Sequence, residues 1–97
     1  MKRWRTILYV DDEYAAAITV LLHVRGYRVL RAYDEAHAKR MLSIKAIDLV
    51  LVGLHIEFDH LNCEAPVLFI VGLDHAQLLE RIRIALVRKR GPKAVCA

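Results

Sequence analysis

The feature that most constrains this fold is a set of short, nearly continuous apolar segments alternating with segments of helical periodicity. The apolar segments are residues 6–10, 27–32, 47–54 and 66–71. Such runs are typical of parallel strands that helices bury on both faces, since a solvated face would need polar residues at alternate positions. The order β-α-β-α-β, an irregular stretch and then β-α therefore predicts an α/β fold with a parallel sheet.

Capping residues mark the predicted helix boundaries. Asp12 can cap a first helix that runs to residue 25, and Gly26 suits the left-handed conformation that commonly ends a helix. Asp34 can cap a second helix. Asp74, with Gln77 three residues later, forms a capping-box pattern before the last one.

Length and composition limit the class of protein. The 97 residues are 57% hydrophobic and 27% charged, which predicts one small globular domain and excludes a disordered chain. No apolar run approaches the ~20 residues that span a bilayer, and the first one is too short for a signal peptide. We therefore expect no membrane partner. Because the two cysteines, Cys63 and Cys96, suit a reducing compartment, we also expect a cytoplasmic protein.

Charge is distributed unevenly along the chain. Of fifteen basic residues, three lie in residues 1–5 and six in residues 81–97, which leaves six basic against eleven acidic residues between them. We predict a basic lead at 1–5, a single domain at 6–90 and a basic tail at 91–97. Basic ends can bind nucleic acid, but a solvated surface is the commoner reason for such patterns, so a small nucleic-acid-binding protein is an alternative only.

Three adjacent acids, Asp11, Asp12 and Glu13, follow the first predicted strand. Functional groups of open parallel sheets gather beyond the carboxyl ends of the strands, and carboxylate oxygens suit Mg²⁺. The simpler interpretation is that Asp12 caps the helix and Asp11 is solvated.

Taken together, these segments resemble a response-regulator receiver domain of two-component signalling. Residues 7–13, Ile-Leu-Tyr-Val-Asp-Asp-Glu, resemble the first strand and acidic pair of that family, and residues 26–32, 47–52 and 66–70 resemble its next three strands. The resemblance implies a flavodoxin-like, doubly wound parallel sheet, here a minimal one of about four strands in the order 2-1-3-4 with helices on both faces. It also implies a magnesium site at Asp11 and Asp12.

The chain departs from the family at the residues that handle phosphate. The phosphoacceptor Asp is replaced by Gly53, and the Ser or Thr that senses phosphorylation is replaced by Val71, which cannot donate a hydrogen bond. No lysine matches the one after the fifth strand. Residues 54–65 are too few for the usual third helix together with the loops on both sides of it, so we expect an irregular loop at 55–65. We also expect the family's fourth helix and fifth strand to be missing.

The resemblance and the departures lead to one main hypothesis. We expect a receiver-like, non-enzymatic module of a phosphorelay, with no phosphoacceptor at residue 53 and at most a weak Mg²⁺ site at Asp11 and Asp12. Such a module would act through contacts with a histidine kinase or an output protein, or would self-associate through an apolar edge strand at 67–71. A receiver in which Asp11 or Asp12 accepts phosphate, and a shortened, marginally stable domain, are the alternatives.

A second metal site is also conceivable, because imidazole, thiolate and carboxylate groups all bind Zn²⁺. The candidate ligands are His55, Glu57, Asp59, His60, Cys63 and His75. Their spacing matches no established zinc or catalytic motif, so a solvated loop is the favoured interpretation.

Overall fold

The computed structural model describes residues 4–11, 16–53, 56–59, 65–70 and 72–88. Strands and helices alternate along these residues as the sequence predicts. The elements are β1 (Arg5–Val10), α1 (Ala16–Val24), β2 (Tyr27–Ala32), α2 (Glu35–Ile44), β3 (Leu49–Val52), β4 (Val67–Phe69) and α3 (His75–Arg88).

The four strands form one parallel sheet in the order β2-β1-β3-β4, which confirms the predicted order. The central strand β1 pairs with β2 on one side and with β3 on the other, so that Val10 lies opposite both Ala32 and Val52. The carboxyl ends of these three strands therefore reach the same edge of the sheet.

Strands β3 and β4 are shorter than the apolar segments that predict them. Residues 47–54 contain a four-residue strand, and residues 66–71 contain a three-residue strand. The hydrogen bonds to β1 start at the amide of Asp48 and end at the amide of Gly53, which sets the length of β3. The buried apolar segment is longer than the paired strand. Ile47, for example, is buried although it precedes β3.

Alternate strand residues face two separate cores, which confirms the prediction of helices on both faces. One core packs strand residues such as Leu8 and Val50 against Ala38 of α2. The other packs residues such as Ile7 and Leu51 against α1 and α3. Most of the strand side chains in these cores are fully buried, and each buried aliphatic side chain contributes about 1.5–3 kcal/mol relative to an exposed one.

Two helices begin with the predicted caps. The Asp34 carboxylate accepts a hydrogen bond from the amide of His37 at 2.8 Å. Asp74 and Gln77 form the reciprocal capping box, since each side chain accepts from the other residue's amide, at 2.8 and 3.0 Å. These bonds satisfy amides that have no partner within the helix.

Helix α1 ends near the predicted residue. It stops at Val24, and Gly26 follows with a φ of +90°, a conformation that a residue with a Cβ rarely adopts. The predicted cap of this helix, Asp12, lies outside the described residues.

Residues 56–59 have no helix or strand and pack against α2. Phe58 is buried in the core on that side of the sheet, and the Lys39 ammonium lies 5.4 Å from the centre of its ring. The amide of Asp59 donates to the Glu35 carboxylate at 2.6 Å. Apolar packing of Ile56 and Phe58 and the hydrogen bond from Asp59 to Glu35 thus hold this segment beside α2.

The longest helix in the described part of the chain has fourteen residues, and none there is long and apolar enough to cross a bilayer.

One testable feature of the fold is a contact between residues distant in the chain. The Asp48 carboxylate accepts from the amide of Thr6 at 2.8 Å, and the amide of Asp48 donates to the carbonyl of Thr6. We expect Asp48→Ala to lower the free energy of unfolding by about 1–3 kcal/mol, because a partly buried amide loses its acceptor. Asp48→Asn keeps an acceptor and should cost clearly less. Urea denaturation measures both, and equal losses would contradict this role of the carboxylate.

Candidate functional site at the carboxyl edge of the sheet

Asp11 and Gly53 lie side by side at the carboxyl edge of the sheet. The amide of Asp11 donates to the carbonyl of Ala32 at 3.0 Å, and the amide of Gly53 donates to the carbonyl of Val10 at 2.7 Å. Each residue directly follows a buried strand, so the strand pairing fixes both backbone positions. The acidic side chain and the glycine therefore meet where functional groups of parallel sheets gather.

The Asp11 carboxylate fills the space that a side chain at residue 53 would need. A Cβ atom built on Gly53 would lie 2.5 Å from Oδ2 of Asp11 and 2.6 Å from its Cγ. Carbon atoms in contact are normally separated by about 3.5–4.0 Å. A side chain at residue 53 therefore requires Asp11 to move.

The hydroxyl of Tyr9 helps to hold the Asp11 carboxylate in this place. It donates a hydrogen bond to Oδ2 of Asp11 at 2.7 Å, and the Tyr9 side chain is 1% exposed. Burial, the hydrogen bond to Asp11 and the negative charge of that residue, in this order of size, together raise the pKa of Tyr9 well above its usual range. Tyr9 thus remains a neutral donor at neutral pH.

A cation also lies next to Asp11. The guanidinium of Arg31 donates from Nη2 to the backbone carbonyl of Asp11 at 3.4 Å, and its charge opposes the rise in the pKa of Tyr9. The same guanidinium lies 4.8 Å from the centre of the Tyr33 ring, which stacks on His37 at 5.5 Å. The site thus combines one carboxylate with an adjacent cation and an exposed aromatic stack.

The structure brings together only part of the predicted site. Asp11 and Gly53 are neighbours, whereas Asp12 and Val71 lie outside the described residues. The sequence interpretation did not assign a role to Tyr9 or Arg31. For Tyr9 a signal was present, because residues two apart on a strand face the same side of a sheet.

The second candidate metal cluster is not assembled among the residues that the structure describes. Its members His55, His60 and Cys63 are outside them. Of the others, Asp59 lies beside α2, whereas His75 begins α3 on the opposite face of the sheet. Within the described ranges, no three His, Cys, Asp or Glu residues could hold one metal ion.

The donors at the carboxyl edge suit Mg²⁺ only partly. Mg²⁺ is usually held by one or two carboxylates together with waters and substrate phosphate oxygens. Asp11 contributes one carboxylate, but the Tyr9 hydroxyl already occupies one of its oxygens. Gly53 contributes no side-chain oxygen. Among the described residues, this edge therefore offers Mg²⁺ a single carboxylate.

Comparison with solved structures gives the fold a name. A receiver domain protein of the CheY-like type from Methanospirillum hungatei JF-1 matches with a TM-score of 0.73 at 17% sequence identity, covering 93% of this chain and 99% of that chain. The chain has the fold of a response-regulator receiver domain. This confirms the resemblance noted in the sequence at the level of the fold.

Two further receiver structures match this chain. A receiver domain protein from Clostridium thermocellum has a TM-score of 0.66 at 19% identity, over 89% of this chain and 97% of that one. The receiver domain of the hybrid histidine kinase CckA has a TM-score of 0.62 at 23% identity, over 84% and 98%. No protein-family model matches the sequence, and no curated protein matches it. The receiver fold is thus recognisable in the backbone at low sequence identity.

The first test of this site concerns the contact between Asp11 and residue 53. Gly53 has no positive φ, so Gly53→Ala should cost about 1–3 kcal/mol through overlap with the carboxylate and not through backbone strain. The same change should cost at least ~1 kcal/mol less in an Asp11→Ala background, where the overlapping atoms are absent. Denaturation of the four proteins gives this coupling. Additive losses would show that the carboxylate does not occupy the space.

The second test uses the dependence of stability on pH. A group whose pKa is raised by folding stabilises the native state fully below its unfolded pKa, which for Tyr9 is near 10.0, and loses this contribution as the pH rises above it. The wild-type protein should therefore lose stability above pH ~10 more steeply than Tyr9→Phe, which has no hydroxyl to ionise. Parallel curves of unfolding free energy against pH for the two proteins would contradict the buried hydrogen bond.

Proposed function

We propose that this chain is a receiver-like signalling module of a phosphorelay that is not phosphorylated at residue 53 and acts through protein contacts, without catalysis of its own. The observation that carries this proposal is the position of the Asp11 carboxylate within the space of a residue-53 side chain. A missing phosphoacceptor could result from a single substitution. Here the Asp11 carboxylate fills the space beside Gly53, which supports a stable arrangement of the site without a phosphoacceptor at residue 53.

The contacts of Asp11 support a single fixed state of the site. Its carboxylate is bound by a neutral buried donor, Tyr9, and its backbone carbonyl accepts from Arg31. Both partners come from strands of the sheet, whose backbone is held by hydrogen bonds on both sides of β1. We infer that the carboxyl edge presents the same surface to a partner whether or not a phosphoryl donor is present.

A second candidate function follows from the same geometry. Because the Asp11 carboxylate lies close to where the family's phosphoacceptor would be, Asp11 is the described acidic residue best placed to accept phosphate in its stead. Its hydrogen bond with Tyr9 opposes this, since the bonded oxygen is a weaker nucleophile. Asp12, the other candidate acceptor, lies outside the described residues.

The partner of such a module would be a signalling protein, a histidine kinase or an output protein. The predicted apolar segment 67–71 is a second contact surface, and β4 is the outer strand of the described sheet, next to β3 only. Its three residues are half-buried, and a strand this short offers little backbone for pairing. Self-association through β4 therefore stays a prediction.

The nucleic-acid alternative receives less support from the described residues. The predicted basic ends lie mostly at residues 1–3 and 89–97, outside the described chain. On α3, the Arg83 guanidinium forms an ion pair with Glu80 at 2.5 Å, which partly neutralises the basic face of that helix. We therefore do not propose binding to nucleic acid.

The phosphorylation state can be tested directly with acetyl phosphate and Mg²⁺. We expect the intact mass of the wild-type protein to remain unchanged, whereas an ordinary receiver domain treated in parallel gains one phosphoryl group, about 80 Da. A stable aspartyl phosphate on the wild-type chain would overturn the proposal.

Asp11→Asn distinguishes the two candidate functions in the same assay. If the wild-type chain gains a phosphoryl group that Asp11→Asn lacks, Asp11 is the acceptor and the second candidate is correct. Retention of the label in Asp11→Asn would point to another residue. Asp34→Asn, which alters a carboxylate at the start of α2, is the matched control and should behave as wild type in every case.

Binding of Mg²⁺ provides an independent test of the weak site at Asp11 and Asp12. We expect a dissociation constant above about 1 mM, because few carboxylate oxygens remain to replace the water shell of the ion. Tyr9→Phe removes one hydrogen bond from the Asp11 carboxylate and should tighten binding several-fold, whereas Asp11→Asn should abolish it. Amide chemical shifts near residues 8–11 and 52–53 report the titration. Tight binding that Asp11→Asn leaves unaffected would contradict this site.

A further inference from the structure

Helix α1 exposes an apolar stripe on the side that faces away from the sheet. Leu22 is fully buried against the sheet, whereas Val20 and Val24 are 59% and 73% exposed and Ala16 and Ala17 are exposed beside them. A helix that is apolar on all sides is normally covered on all sides. In this structure the described residues cover only the inner face of α1.

The stripe borders an open depression between α1 and the start of α3. The depression has a volume of about 540 Å³. Its lining is almost entirely apolar and consists of Ala16, Ala17, Val20, Leu21, Val24 and His75. A contiguous apolar surface of this kind on a soluble domain is typical of an interaction site.

The absence of charge on α1 favours one particular occupant. None of its nine residues is acidic, and His23 is the only basic one. The whole chain carries a formal charge of +4, so two copies repel each other except where uncharged surfaces meet. In a twofold dimer the same patch of both copies meets itself. A charged patch would then face its own charge, whereas an uncharged patch avoids this repulsion.

The spacing of the stripe also suits pairing with itself. Ala16, Val20 and Val24 are four residues apart, and Leu21 with Ala17 forms a parallel row beside them. Rows of this spacing interlock when two helices cross at about −50°, the commonest packing class in globular proteins. The small alanine side chains allow the two backbones to approach closely.

We propose that α1 is a self-association surface, and that a second copy of this chain packs its own α1 against it with Val20 near the twofold axis. The exposed stripe is only about 12 Å long, as the rise of the helix from residue 16 to residue 24 requires. The contact area is therefore well below that of a permanent dimer, and the complex should be a weak one that forms at high concentration. This proposal does not depend on the phosphorylation state of the site.

Sedimentation velocity over a concentration series tests the proposal. The wild-type protein, with a monomer mass of 11.1 kDa, should shift toward twice that mass with a dissociation constant on the order of 10–1000 µM. Val20→Glu and Val24→Glu should each weaken the dimer at least about tenfold, because a charge enters an apolar contact. Ile44→Glu is the matched control, since Ile44 is 75% exposed on α2, on the opposite face of the sheet.

Cross-linking locates the axis without relying on the stability of a charged variant. In a Cys63→Ser, Cys96→Ser background, Val20→Cys should form an intermolecular disulfide under mild oxidation, whereas Ile44→Cys should not. A wild-type protein that stays monomeric at every concentration would overturn the proposal. A dimer that Val20→Glu and Val24→Glu leave intact would also overturn it and would point to β4. Binding of α1 only to a helical partner, with no dimer, would show a different occupant.

Discussion

The carboxyl edge of this sheet depends on one short contact, the placement of the Asp11 carboxylate in the space beside Gly53. Parallel pairing of β1 with β3 brings the two residues together, and the Tyr9 hydroxyl holds the carboxylate there. A side chain at residue 53 and the Asp11 carboxylate cannot occupy that space together. The present position of the carboxylate therefore requires a glycine at residue 53. Phosphate or metal ions at this edge would meet a carboxylate that already accepts a hydrogen bond from Tyr9, and a glycine that offers no side chain.

A comparison with the receiver fold shows what the shortened chain retains. The sheet order and the two-sided helix packing are those of the receiver structures, whereas the described chain has four strands and three helices. In place of a longer connection after β3, residues 56–59 pack against α2 through Phe58. Ile56 and the buried Ala65, from the same connection, also pack in the core on that side.

The surface of the domain divides into regions of different character. The carboxyl edge carries a carboxylate, a guanidinium and the exposed Tyr33 ring, whereas the nine residues of α1 include no Asp, Glu, Lys or Arg. A polar edge suits recognition that depends on orientation, because hydrogen bonds and ion pairs are directional. An uncharged stripe suits packing that depends on shape.

The sequence by itself determined the class and the order of the fold. The apolar segments are buried on both faces and alternate with capped helices, and local chemistry was enough to place Asp34, Asp74 and Gln77 at the helix starts. It also placed Asp11 and Gly53 at the ends of neighbouring strands. Only the tertiary structure decided how far β3 extends and which groups meet at the site. Gly53 and Asp11 are 42 positions apart, and their overlap depends on register and side-chain direction, which no local pattern specifies. The tertiary structure also decided which side of α1 is exposed. The helix is apolar on most sides, so its sequence does not show which side packs against the sheet.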